Sequence, residues 1–547
     1  MRKLEAVVGK LANGSLSPGT QQQLEQGVGE APASNWHVAD EPQLCHSRDN
    51  DQPTNHWEIV MDLESGPEVI PGFYISQTPE IGGQSGAADF ISKGVVSVES
   101  AQRYFDMYRD RIDHFPYRIL NDQGPASLES VRKSSPLLAA AVCTVGALHA
   151  ASKDFELCYK EFVSLCAIQT FSKRSTVDDV RALCIGAFWL SDLSWTLVGT
   201  AVRIATELQL HKSIFKAMQG DRQHYLRTRL WYLIYACDHH FSIAYGRPPM
   251  TRECEAVRNV RSFLACEHAT EDDARLASQV LRWSMCSKIF DKFGVNVDRP
   301  LSDEEVTHLK VFSASLDEIK AEWVDRFVEN VHVGNYPRKG VTLQYHFAEL
   351  YLFSHAFRGS RLGKINASSP EVGLELENAA NSAVLSAESI LRAVVSDTEI
   401  QSFLDGLPIY FNVMIAFAAV FLLKVSTKFS TFVKIDVEEI KSLMTALVST
   451  LRRVSSTMHP KHLLVSITKG IDSLRNQFYP TEDSSTAEAM EQQQPGGNSD
   501  VSDAFFDWGG DQYGYPAFMG EYDFLLGQDL DFDMSLPEMS QSFPPVS

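Results

Sequence analysis

Three short stretches bring residues capable of chemistry together. Arg203, Glu207 and His211 recur every four residues in WTLVGTAVRIATELQLH (195–211), Asp238, His239 and His240 are consecutive, and Glu271, Asp272 and Asp273 form an acidic run. The first offers an ion pair beside a titratable ring, the second a metal site, and the third the start of the D-D-x-x-D metal motif of an all-α lyase. None is complete. Neighbouring helical residues diverge by about 100°, so His239 and His240 cannot face one ion, and no histidine pair at i, i+4 or cysteine at ligand spacing supports coordination. Asp273 is followed by Ala274-Arg275-Leu276, which reads as a helix start. With no G-x-S-x-G, no Gly-rich phosphate loop and no spaced Cys–His pair, the expectation is a non-enzyme with no catalytic, cofactor or metal residues in this chain.

The elements that hold these residues are read as helices. On one, Val198, Ala201, Val202, Ala205 and Leu208 share a face while Thr200, Arg203 and Glu207 lie roughly opposite, so one side packs and the other meets a second element. Arg203 and Glu207 can pair, in the less favourable order with arginine first, and the pair reads as a structural clamp. Downstream, in RTRLWYLIYACDHHFSIAYGRPP, Arg227, Leu230, Ile234 and Cys237 or Asp238 keep helical spacing until Gly246-Arg247-Pro248-Pro249 ends it. The charges here are expected to be interior, with Asp238 able to balance Arg203, Arg229 or Arg247, because buried charge requires a partner. The histidines are expected to be structural and satisfied.

Helical periodicity repeats from residue 96 to 479, as in SPLLAAAVCTVGALHAAS, DDVRALCIGAFWLSDL, LENAANSAVLSAESILRAV and EEIKSLMTALVSTLRRV. Strand-like alternation is nearly absent, and the fold class expected is all-α: one large multi-helix domain between two segments that cannot form cores. Met1, Leu4, Val8 and Leu11 make a short coiled-coil remnant over 1–12, and 13–95, rich in Gly, Ser, Pro, Gln and acids, reads as a disordered linker. The nine cysteines, none closer than Cys158 to Cys166, show neither zinc-site spacing nor a disulfide framework. The longest apolar run, Val413–Leu423, is shorter than a bilayer span and is expected to be a buried helix, so no membrane partner is anticipated. Of the formal net charge of −21, much sits at one end: residues 476–547 hold fourteen carboxylates and no Lys or Arg. Without a basic cluster, the chain as it stands is a poor ligand for nucleic acid.

Taken together, Trp195, Gly199, Arg203, Leu210 and His211, followed about 20 residues later by Arg229, Trp231, Asp238, Gly246, Arg247 and Pro248, resemble the central regulatory domain of fungal transcription factors of the binuclear zinc cluster class. The layout is most similar to regulators of the leucine-biosynthesis and secreted-protease type. Gln209 stands where that family often has glycine. The resemblance implies a nuclear regulator of RNA polymerase II genes, able to form homo- or heterodimers, that contacts DNA through six N-terminal cysteines binding two zinc ions. Here only Cys45 precedes Cys143, so DNA contact is expected only through a zinc cluster that these residues lack. Either the cluster lies upstream of Met1 or this member is without it.

Residues 480–547 read as a disordered activation tail independently of that resemblance. Phe505, Phe506, Trp508, Phe524, Leu525, Leu526, Leu530 and Phe532 alternate with aspartates, whose repulsion keeps the large side chains solvated and available to a coactivator groove. A coregulator that pairs with a related factor without touching DNA is the alternative reading, followed by an all-α enzyme.

Overall fold

The computed structural model describes residues 89–120, 126–172, 174–359, 369–430 and 433–479. The coiled-coil reading of 1–12, most of the linker reading and the whole tail lie outside them. Helices of seven residues or more are numbered here in chain order: α1 (Val98–Met107), α2 (Leu128–Ser134), α3 (Pro136–His149), α4 (Phe155–Thr170), α5 (Val177–Trp189), α6 (Ser194–Glu207), α7 (Arg222–Ile243), α8 (Glu271–Phe293), α9 (Asp303–Trp323), α10 (Tyr336–Ser354), α11 (Pro370–Ser396), α12 (Ile409–Lys428), α13 (Val437–Ser455) and α14 (Leu463–Phe478). Among the described residues there is no β-strand, only an isolated bridge between Asn330 and Gly334. The all-α class expected from periodicity is what the chain forms.

Local sequence sets the helix starts. Thr176 with Asp179, Thr270 with Asp273 and Ser302 with Glu305 each form a reciprocal capping box at the head of α5, α8 and α9, satisfying backbone donors that the first turn leaves open. One hydrophobic core runs from Phe90 to Leu474. Around it α3 packs on α1, α4 and α5; α7 packs on α6 and α8; α10 lies along α11; and α12 packs on α11 and α14. Helix α12 is long and apolar enough to cross a bilayer, and it is buried within the fold. At the crossing of α1 and α3, a Cβ on Gly146 would stand 2.0 Å from the Tyr104 carbonyl oxygen, so only glycine lets these backbones meet.

The folded region begins before the boundary that composition suggests. Phe90 is fully buried, Ile91 nearly so, and Asp89 accepts from Arg132 Nε at 2.5 Å and Nη2 at 2.9 Å. Phe90 and Ile91 therefore belong to the core, and 89–95 is part of the folded region; a segment this short is too brief to display a helical or strand period.

Candidate functional site: a charge lock at the head of α8

The signature residues lie on α6, in the turn after it, and on α7 and its C-terminal loop. Helix α6 buries Leu197, Val198, Ala201, Ile204 and Ala205, while Val202 and Leu208 are only half-buried, so the packed stripe is turned slightly from the one read in the sequence. Arg203 is exposed: its Nη1 donates to Glu207 Oε1 at 2.8 Å and its Nη2 to the Thr170 carbonyl at 3.0 Å. Thr170 is the last residue of α4, whose terminal carbonyls lack intrahelical partners, so Arg203 ties α6 to the end of α4. Gly199 is half-buried, and a Cβ there would meet only Met250 Sδ at 3.6 Å, an ordinary contact. Leu210 is fully buried, and the His211 ring lies 5.5 Å from that of Trp231.

Helix α7 ends in a Schellman arrangement. Gly246 has φ +67°, its N–H donates to the Ile243 carbonyl at 3.2 Å and the Arg247 N–H to the Ser242 carbonyl at 2.8 Å, and Pro248 and Pro249 prevent resumption of the helix. The Arg247 guanidinium then lies 4.7 Å over the Trp195 ring and 5.7 Å from that of Tyr245, a cation–π seat linking the end of α7 to the start of α6.

Arg203 pairs with Glu207 and Arg229 with Asp273, while Asp238 is held by neutral donors. Fully buried, it accepts from the Thr251 N–H and hydroxyl, each at 2.6 Å, and from the Ser242 hydroxyl at 3.1 Å. Neutral donors suffice because several hydrogen bonds can stabilise a carboxylate without a cation; the effect is to fasten the loop after Pro248 back onto α7. His239 bonds the Tyr235 carbonyl at 2.8 Å through Nδ1, and the His240 ring stacks on Tyr410 at 3.7 Å. Burial pushes the His240 pKa well below its ordinary value, which keeps the ring neutral.

The buried ion pair lies elsewhere. Arg229 of α7 pairs with Asp273, the third residue of α8, and also donates to the Tyr117 carbonyl. Asp273 further accepts from the Tyr225 hydroxyl at 2.8 Å and from Thr270 Oγ1 at 2.7 Å. Next to it, Asp272 bonds Arg118 and Arg275, and Arg275 Nη2 donates to the His114 carbonyl at 3.0 Å. Burial pushes the Asp272 pKa upward, but the guanidiniums of Arg275 and Arg118 outweigh it and hold the carboxyl below its ordinary value. Two adjacent carboxylates thus lock the 114–118 loop, α7 and α8 together. The loop takes the left-handed region at Tyr117 and Arg118, φ 62° and 55°, a conformation that side chains disfavour and that surrounding contacts must maintain.

Beside the lock is a cavity of about 250 Å³ lined by His114, Arg118, Glu271, Asp272, Asn330, Val331 and His332. The His114 and His332 rings stack at 3.8 Å, and burial, with His332 adding to it, brings the His114 pKa down to about 4. Among the described residues no three His, Cys, Asp or Glu side chains converge to hold a metal, and the described cysteines are free and spread over Cys143 to Cys286. That donor set does not fit a binuclear zinc cluster. Asp272, Asp273, Tyr117, Arg118 and His332 escape a reading of the α6–α7 stretch; the available signal was Thr270-x-x-Asp273, a capping box whose acid is free to turn outward to an arginine.

Residues 94–473 match the family described as the transcriptional activator of proteases prtT middle domain. The chain is 38% identical over 402 residues to the transcriptional activator of proteases prtT of Emericella nidulans, a match covering 71% of this chain and 60% of that relative. It therefore spans about three-fifths of the relative's length. The charge lock, the Schellman end of α7 and the Arg203 clamp all fall within the matched residues, and the chain belongs to the family of prtT-type middle domains.

Proposed function

We propose that this chain is a nuclear transcriptional activator in which the helical region governs an acidic tail. The observation that carries the reading is the family match across 94–473, and the composition of 480–547 supports it. The charge lock is then a structural element: it holds α7, α8 and the 114–118 loop in one arrangement, and it contains no nucleophile paired with a base. DNA contact is assigned to a zinc cluster, whose six cysteines are not found among residues 1–142, where Cys45 is the one cysteine. Such a module would place a short basic helix in the major groove.

Fusion of residues 480–547 to an unrelated DNA-binding domain tests the activator assignment in a fungal reporter strain. Strong reporter output is expected. Replacing Phe505, Phe506, Trp508, Phe524, Leu525, Leu526, Leu530 and Phe532 by alanine should abolish it, because those groups supply the apolar area that a coactivator buries, about 25 cal/mol per Å² before ordering costs. Removing two or three aspartates should only reduce it, since many acids share the steering. A silent wild-type fusion would defeat the assignment.

A further inference from the structure

We propose that Ser455, at the end of α13, is a phosphorylation site for a protein kinase that reads arginine, and that its phosphate takes Arg452 from Asp472 and so loosens α13 from α14. The proposal rests on the residues of this helix end and is independent of the activator reading.

Residues 451–457 read LRRVSST, and Arg452-Arg453 is the one pair of adjacent arginines in the sequence. Both are exposed in the last turn of α13, three and two residues ahead of Ser455. A kinase cleft lined by carboxylates recognises such a pattern, because each guanidinium presents a planar fork that fits a carboxylate and the short spacing sets the hydroxyl at the transferable phosphoryl group. Neither arginine is locked in the core. Arg453 Nη2 donates to Gln401 Oε1, a neutral amide oxygen, at 2.5 Å, and the Arg452 side chain, 61% exposed, pairs with Asp472 of α14. Pairs this exposed are held weakly.

The acceptor hydroxyl is free as well. Ser455 is half-buried, and its hydroxyl has no hydrogen-bond partner among the described residues. Other hydroxyls that follow basic residues are committed to helix starts: Ser135, buried after Arg132-Lys133, accepts from the Leu138 N–H at 3.1 Å, and Thr176, after Arg174, is half of a capping box with Asp179. Beyond Ser455 the chain leaves the helix, and Ser456, Thr457 and Pro460 of the connection to α14 are exposed. The last turn of a helix, whose carbonyls lack intrahelical partners, opens at little cost into the extended form that a kinase cleft takes.

In the transfer, Ser455 Oγ bonds to the γ-phosphorus of Mg-ATP as the bond to the β,γ-bridging oxygen breaks; ADP departs, and the hydroxyl proton passes to the catalytic carboxylate of the kinase. The product carries a charge of about −1.5 to −2 and three acceptor oxygens. Residues three apart on a helix are surface neighbours, so the phosphate and Asp472 compete for one guanidinium. Asp472 keeps Arg475, whose Nη2 lies 2.8 Å from its Oδ1, but both belong to α14 and the tie to α13 is lost. A dianion at this end also opposes the helix dipole that Arg452 and Arg453 complement. Helix α14 ends at Phe478, so the loosened helix is the one that leads into the acidic segment.

The test uses the full chain, the catalytic subunit of cyclic-AMP-dependent protein kinase and Mg-ATP, read by intact mass and peptide mapping. Phosphate is expected at Ser455. S455A, which removes a hydroxyl without partners, should lose it and S456A should keep it, while R452Q with R453Q should lower the initial rate about tenfold or more. The phosphorylated chain should melt about 1–2 °C below the untreated one, and R452Q carried to full phosphorylation should show a smaller drop. A folded chain left unmodified at Ser455 would overturn the proposal, and phosphorylation of a peptide of residues 449–460 in the same assay would then show that the fold closes the site. A melting temperature unchanged by full phosphorylation would overturn it too, since Arg452 would still hold α14.

Discussion

Helix α12 buries every residue from Ile409 to Ser426, almost all of them apolar, whereas α8, buried over much of its length, takes Asp272, Asp273, Arg275, Gln279 and Arg282 into the interior with it. The first is held by area removed from water, a force without direction that any well-shaped neighbour supplies. The second is held by named partners: Arg229, Arg118 and Arg275 answer the carboxylates at its head, and at its tail Arg358 donates to the Phe293 carbonyl at 2.7 Å and the Gly294 carbonyl at 2.6 Å. A chain can bury a helix either way. Only the second way fixes which loop and which turn must meet it, and the 114–118 loop, α7 and the cavity beside His332 are positioned by that constraint.

The contrast is broken most sharply at Asp273. Asp273→Ala leaves Arg229 buried without its carboxylate, and also removes the Tyr225 partner and half of the capping box. A loss of about 3–5 kcal/mol is expected from urea denaturation of the full chain followed by circular dichroism. On α12, Leu422→Ala should cost about 3 kcal/mol through cavity formation alone. The two helices separate in the paired variant: Arg229→Met with Asp273→Leu removes both charges and should cost less than Asp273→Ala by itself. A double variant as damaging as the single would show that α8 depends on shape, as α12 does.

A smaller effect sharpens the comparison at the other end of α8. His355 lies between Phe293, ring centres 4.7 Å apart, and the Tyr351 carbonyl, and burial, with Arg358 adding to it, lowers its pKa to about 3. In the unfolded chain it titrates near 6.5. Because the folded value is depressed for a base, its full contribution is present above about pH 6.5 and is lost as pH falls from there toward 3, where the unfolded chain binds the extra proton. Between pH 7 and 5 one such histidine removes about 2 kcal/mol of stability. His355→Met should flatten the wild-type stability curve by about that amount over this interval. Identical slopes in the two proteins would mean that the ring is protonated in place.

What the sequence reveals divides along the same line. Helices with dense apolar content, α3, α5, α7, α10, α11, α12 and α13, are legible from periodicity, and the end of α7 is legible from Gly246 and two prolines, because those signals are local. Helix α9 is less visible: of its 21 residues only Glu305, Val306, Leu309, Leu316 and Trp323 are buried, and α4 buries only Phe155, Cys158 and Phe162. The charge lock is not legible at all as a pairing. Arg229 and Asp273 are 44 residues apart, and which acid an interior arginine meets depends on helix crossings that no spacing encodes. That is why Asp238, nearer in sequence to the arginines, is a plausible partner on paper and a neutral-donor anchor in the fold.

The smallest expected effect lies in the turn that joins the two elements of the signature. Gln209 has φ +57° and ψ +33°, the left-handed region where a Cβ costs roughly 1–2 kcal/mol, and its N–H and C=O close the turn through Thr206 and Lys212 at 3.0 Å each. A glycine at this position would adopt this conformation without that strain. Gln209→Gly removes the Cβ penalty but adds freedom to the unfolded chain, worth about 0.5–1 kcal/mol in the opposite direction. The balance should be a gain of about 0.5 kcal/mol, read as an increased urea midpoint with unchanged slope. The backbone hydrogen bonds of the turn survive the substitution, so the midpoint reads conformational strain and chain freedom together with what the Gln209 side chain contributes. A lowered midpoint would mean that the Gln209 side chain contributes more to holding the turn than its backbone strain takes away, and that the entry into α7 depends on a side-chain contact in the way that the head of α8 does.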